Sequence, residues 1–89
     1  MNQTEFKIDD LRRVLREAAG TPEEVDLEDD ILDMEFEVLG YDSLALQETG
    51  SRVERVYGIE LEDGAIVDAR TPREFLSTVN MRLADLDAG

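Results

Sequence analysis

This chain of 89 residues predicts an all-α fold: a small four-helix bundle of three main helices and one short helix, with a long acidic loop between helices one and two. Three observations carry that prediction. Apolar residues recur at helical spacing in separate stretches. Gly20-Thr21-Pro22 and Gly58 stand where two of those stretches stop. Thr71-Pro72-Arg73-Glu74 places a capping Thr, a Pro at the first helical position and a Glu at the third, a capping box. Residues 1–89 fit a single domain, and a chain this short buries only roughly 60–65% of its unfolded surface, so its core is small.

Ile8, Leu11, Leu15 and Ala18, with Val14 beside them, predict the first helix over about 5–19, with Arg12, Arg13, Arg16 and Glu17 outward and Gly20 ending it. Residues 23–42 hold ten acids and no base, threaded with Val25, Leu27, Ile31, Leu32, Met34, Phe36, Val38 and Leu39. From Leu32 to Val38 the alternation is strict, which by pattern favours a strand, but the only matching run is Tyr57 to Leu61, and two short strands make a poor sheet. The segment is therefore expected to be an extended loop anchored over the helices by its apolar side chains. Loops of this length usually carry function.

The second helix is expected from Ser43 to Tyr57, with Leu46, Thr49, Val53, Val56 and Tyr57 inward and Leu44, Glu48, Ser51 and Arg55 outward. Gly50 lies mid-helix, where it costs roughly 1 kcal/mol relative to Ala, so it either permits close packing or leaves room for something. Glu62 to Ala69 predicts one short helical turn with Ile66 and Val67 inward. The last helix follows the capping box, with Phe75 or Leu76, Val79, Leu83 and Leu86 as its stripe.

Nine Lys and Arg against 23 Asp and Glu give a net charge of −14. Such a surface repels phosphates, so neither nucleic acid nor anionic lipid is an expected partner, and a basic protein surface is. No apolar run exceeds three residues, as in Ala65–Val67, so nothing is expected to span a membrane. Met1 to Glu5 lacks the features of a signal peptide, which predicts a cytoplasmic protein. Without Cys or His, disulfides, thiolate or imidazole metal sites and Ser-His or Cys-His catalysis are unavailable. The acids at 23–42 read more simply as a solvated charge run than as a catalytic pair. An EF-hand beginning at Asp26 fails at its sixth position, where Ile31 stands in place of the glycine that the turn requires.

Gly40-Tyr41-Asp42-Ser43-Leu44 is the most informative segment. A flexible glycine leads into a serine at a helix start, where free backbone N–H groups and the helix dipole would favour a phosphodiester on the hydroxyl. The simpler alternative is that Asp42 or Ser43 only caps the helix.

In its acidic surroundings this motif resembles an acyl carrier protein, and the resemblance runs from Asp10-Leu11-Arg12-Arg13 to the last helix. Phe36-Glu37, Leu39 to Leu46, Glu48-Thr49, Tyr57-Gly58 and Thr71 to Glu74 are similar to the carriers of aromatic, type II polyketide synthases. Fatty-acid carriers typically have a small residue where Tyr41 stands and an acid where Ala45 stands. Gly50 departs from the Ala expected in the family. The resemblance implies a non-catalytic acyl carrier domain over 1–89 whose Ser43 bears 4′-phosphopantetheine from coenzyme A, holding malonyl and growing poly-β-keto chains as thioesters. It implies a docking face at Asp42, Leu44 and Glu48, with contacts to a polar chain from Arg73 and Asn80 on the last helix. Leu44 could instead belong to the core, Glu48 could merely pair with Arg52, and Asn80 could satisfy a backbone group. The implied partners are a phosphopantetheinyl transferase, a malonyl transferase, the ketosynthase/chain-length factor, a ketoreductase, aromatases and cyclases, all meeting a monomer. Two alternatives stand beside this: a fatty-acid acyl carrier protein, and an acidic protein-binding module without a prosthetic group.

Overall fold

A computed structural model describes residues 5–23 and 25–88, which form five helices and no strand. They are α1 (Ile8–Ala19), α2 (Phe36–Leu39), α3 (Ser43–Tyr57), α4 (Asp63–Asp68) and α5 (Pro72–Ala88). The three main helices and the short α4 stand where the sequence placed them. The addition is α2, a single turn inside the acidic loop.

The first helix starts three residues later than expected. The backbone N–H and carbonyl of Phe6 are taken by the Asn80 side chain on α5, at 2.8 and 2.9 Å, which diverts the carbonyl from helical pairing. The Phe6 ring, 1% exposed, packs edge-on against Tyr57 at 5.3 Å and beside Phe75 at 6.2 Å. Leu11, Val14 and Leu15 are buried on α1. Arg12, expected outward, instead lies along the loop with only 12% of its side chain exposed and donates to the carbonyls of Leu27 (2.6 Å) and Asp29 (3.0 Å). A guanidinium is well suited to this, because its fixed fork can satisfy two loop carbonyls at once.

The loop is anchored, as expected, by buried Leu27, Ile31, Phe36 and Leu39. The apparent strand alternation dissolves because Phe36 and Leu39 face inward three residues apart on a helical turn, leaving Val38 62% exposed. At its far end the loop is fastened to the α4–α5 junction. The Phe36 N–H donates to the Arg70 carbonyl (2.8 Å), and the Arg73 N–H, an orphan donor of the first turn of α5, finds the Leu32 carbonyl (2.9 Å). The Arg73 guanidinium grips the Asp33 carboxylate through two contacts of 2.7 and 3.0 Å and holds that carboxyl below its usual range.

In α3, Leu46, Thr49, Gly50 and Val53 are buried. Val56 departs from expectation at 60% exposed, because the inner face drifts with the 3.6-residue period and passes from Val53 to half-buried Tyr57. In α4, Ile66 is buried and Val67 half-buried. Gly50 lets α4 come close, since a Cβ there would meet Ile66 Cγ2 at 3.2 Å. Gly50→Val is expected to cost about 1–3 kcal/mol in urea melts by overpacking. Gly50→Ala should stay within about 1 kcal/mol of wild type, its better helix propensity offsetting the small shift Ile66 must make. An unchanged midpoint for the Val variant would refute the close approach of α3 and α4.

The start of α5 bears out the capping box in a shifted form. Thr71 Oγ1 accepts from the Glu74 N–H (3.3 Å), while the Glu74 carboxylate reaches back one residue further than expected, to the Arg70 N–H (2.9 Å). Phe75, Val79 and Leu83 are buried, Leu76 is half-buried, and the Leu86 side chain lies outside those described.

Candidate functional site

The site begins where α2 ends. Gly40 adopts φ 94°, its N–H donates to the Glu37 carbonyl (3.2 Å), and the Tyr41 N–H donates to the Phe36 carbonyl (2.9 Å). This pair of bonds is a Schellman closure, and its left-handed residue is open to glycine at little cost. The reversal turns Tyr41 inward. Its ring is 7% exposed, meets Phe36 edge-on at 6.4 Å, and its hydroxyl donates to the Gly20 carbonyl at 2.9 Å. Burial raises the pKa of this phenol above its ordinary value, with Arg16 pulling partly the other way, so the neutral, donating form is retained. Tyr41 thus ties the end of α1 to the segment entering α3, a role that the motif alone did not disclose. Tyr41→Phe is expected to lower unfolding stability by about 1 kcal/mol, read from the urea midpoint, because the Gly20 carbonyl loses its donor.

Asp42 is the residue that caps α3. Its Oδ1 accepts from the Ala45 N–H at 2.9 Å. Ser43, the first residue of the helix, is exposed, and among the described residues nothing hydrogen-bonds its hydroxyl. The Ser43 and Leu44 N–H groups likewise have no partner among the described residues, since the first helical bond is Leu46 N–H to the Asp42 carbonyl (3.0 Å). A free hydroxyl beside free amide donors at the positive end of a 15-residue helix is a donor set that suits a phosphodiester.

Two open grooves flank this point. Ser43 lines one of about 520 Å³ between α2, α3 and α4, with Phe36, Leu46, Val67 and Ala69 as its apolar wall. The other, about 530 Å³ on the α1 side, is bordered by Pro22, Val25 and Val38 and does not include Ser43.

Leu44 is 61% exposed, so it is not core. It and exposed Glu48 border a groove of about 400 Å³ between α1 and α3. Arg52 bonds Glu17 at 3.1 Å across that groove, which removes pairing with Arg52 as the account of Glu48. Asp42, Leu44 and Glu48 are therefore all exposed, Asp42 as the N-cap of α3 and Leu44 and Glu48 one turn apart on the face towards α1. Arg73 and Asn80 are placed elsewhere. Arg73 is engaged with Asp33, and both amide atoms of Asn80 are committed to Phe6. Both side chains implied as chain contacts thus have partners within the protein, and Asn80 does what its simpler alternative foresaw, satisfying backbone groups. Asp26, the first position of the failed EF-hand, spends its carboxylate on the Glu28 N–H (2.9 Å).

Comparison with known proteins bears on the same segment. A family model described as the phosphopantetheine attachment site matches residues 9–79. The chain is 52% identical over 84 residues to the monensin polyketide synthase acyl carrier protein of Streptomyces virginiae, covering 94% of each. Among solved structures, the 3,5-dioxohexyl form of the actinorhodin acyl carrier protein of Streptomyces coelicolor, a triketide mimic, superposes with a TM-score of 0.85 at 46% identity. The malonyl form of that protein superposes with a TM-score of 0.82, also at 46% identity. Each match covers 94% of this chain and 98% of the other.

Proposed function

This chain belongs to the phosphopantetheine-bearing acyl carrier proteins of polyketide synthases, and from that premise we propose that Ser43 is the residue that carries its 4′-phosphopantetheine arm. The protein is a non-catalytic carrier subunit working with synthase enzymes. The arm supplies the thiol on which malonyl and lengthening poly-β-keto groups are held as thioesters.

The observation that supports Ser43 is the division of labour at the start of α3. Asp42 takes the capping bond, so the serine hydroxyl is exposed and uncommitted next to two unpartnered amide donors. Incubation with coenzyme A and a phosphopantetheinyl transferase, followed by intact mass measurement, tests the reading. One phosphopantetheine increment is expected, and no increment with a transferase shown to be active on another carrier would overturn it. The acidic binding module without a prosthetic group is the reading that would then return.

Asp42, Leu44 and Glu48 form the docking face in this proposal, with the transferase, the malonyl transferase, the ketosynthase/chain-length factor, the ketoreductase, aromatases and cyclases as successive partners. An exposed apolar anchor with acids at Asp42 and Glu48 suits short-lived contact with basic patches, since charge steering raises the association rate more than the affinity. Glu48→Lys is expected to slow association with such a partner by roughly threefold to tenfold at low salt while leaving the thermal midpoint within about 1 °C. The difference should shrink towards 1 M salt, where the screening length is about 3 Å. Equal rates for variant and wild type at low salt would remove Glu48 from the face. Among the described residues no helix is long and apolar enough to cross a membrane, and the proposal places the carrier in the cytoplasm as a monomer.

A further inference from the structure

The groove that Ser43 borders is dominated by like charge. Glu35, Glu37 and Asp42 line it, and Arg70 is the single cation among its lining residues. Arg70 also differs from most of the chain's other cations. Arg12, Arg13, Arg16, Arg52, Arg73 and Arg82 are each paired with a carboxylate, whereas among the described residues no carboxylate pairs with the exposed Arg70 guanidinium. Its backbone is fully engaged, with the N–H on Glu74 and the carbonyl on the Phe36 N–H, so the position of Arg70 is fixed by main-chain bonds while its charge stays free.

We propose that Arg70 is the counter-ion of the phosphodiester on Ser43 and turns the arm into the groove between α2, α3 and α4, away from the groove on the α1 side. This rests on the reading that Ser43 bears the arm. A phosphodiester bonded to the Ser43 oxygen is pinned at the mouth of this groove next to three carboxylates, and Arg70 offsets that repulsion. The planar guanidinium can grip two phosphate oxygens at once, which a lysine cannot do. Once the phosphate is held, the arm lies over the apolar wall of Leu46, Val67 and Ala69. The carboxylate of a malonyl group has the same chemistry as a ligand, but it sits at the free end of the arm and is not pinned near Arg70.

The test compares wild type, Arg70→Gln and Arg70→Lys, each loaded from coenzyme A and checked by intact mass. All three should load and keep the same circular dichroism, because the main-chain bonds of residue 70 survive substitution. Loading should shift the Arg70 Nε–Hε resonance of wild type, and cross-relaxation between arm protons and the Val67 methyls should be present. Arg70→Gln should lower the population of the docked arm by up to about fivefold, the range of an exposed ion pair, with Arg70→Lys between the two. An Arg70 resonance unmoved by loading, or arm contacts to Val67 equal in wild type and Arg70→Gln, would overturn the proposal. So would an Arg70 shift that appears only after malonylation, which would make the terminal carboxylate the ligand. Absence of a mass increment in wild type would overturn the attachment reading and this proposal with it, and the mass measurement separates that failure from the others.

Discussion

Ser43→Ala takes up no phosphopantetheine and folds as well as wild type. The two halves of that expected result have separate physical grounds. Loading needs the hydroxyl oxygen as the point of attachment, so its removal leaves an all-or-none change in intact mass. Folding does not need it, because the capping bond belongs to Asp42 and no described residue hydrogen-bonds the serine side chain. Alanine has a slightly better helix propensity, by up to about 0.5 kcal/mol, which acts in the same direction. Asp42→Ala is the converse variant: it keeps the attachment oxygen and loses the cap, at about 1 kcal/mol of stability. A full increment on Ser43→Ala would move the attachment to another hydroxyl, with exposed Ser51 and Ser77 as the first to test.

Phe75→Ala is expected to remove about 3–5 kcal/mol, read as a fall in the urea midpoint at nearly constant slope. For a domain whose whole stability is about 5–15 kcal/mol, that is a large share. Phe75 is 0% exposed and holds two rings from distant parts of the chain, Phe6 at 6.2 Å and Phe36 at 6.0 Å. Its loss opens a cavity where the N-terminal segment, α2 and α5 meet, so the damage reaches the Gly40-Tyr41 turn that presents Ser43. Phe75→Leu should recover most of the loss, since it keeps much of the apolar volume. A change below 1 kcal/mol for the Ala variant would mean that the three elements are held together elsewhere.

The bounds of α3 from Ser43 to Tyr57, the stop at Gly20 and the cap at Thr71 were all legible in the sequence, as was the serine at a helix start. Each depends on residues within a few positions of one another: a glycine free to take positive φ, a carboxylate or hydroxyl able to reach a nearby N–H, and a period of apolar side chains. The acyl carrier resemblance was legible for the same reason, since its motif is a contiguous run.

The remaining features depend on groups far apart in the chain. A one-turn helix such as α2 cannot nucleate on its own, because a single turn repays too little of the ordering entropy. It is held by the Arg70 carbonyl and by burial of Phe36 and Leu39. Arg12 turned inward because loop carbonyls 15 and 17 residues away needed donors, and the Asn80 side chain, from within α5, took up the backbone of Phe6, 74 residues away. The same long-range placement brought Arg70 to the groove that Ser43 borders. What the sequence by itself determined was the three main helices and the short α4, the serine at a helix start and the kind of carrier, because short-range geometry encodes them. Only the tertiary structure decided which face of the acidic loop is buried, which charges are already paired and which cation is left beside the serine, because a buried polar group takes its partner from whatever the fold brings within reach.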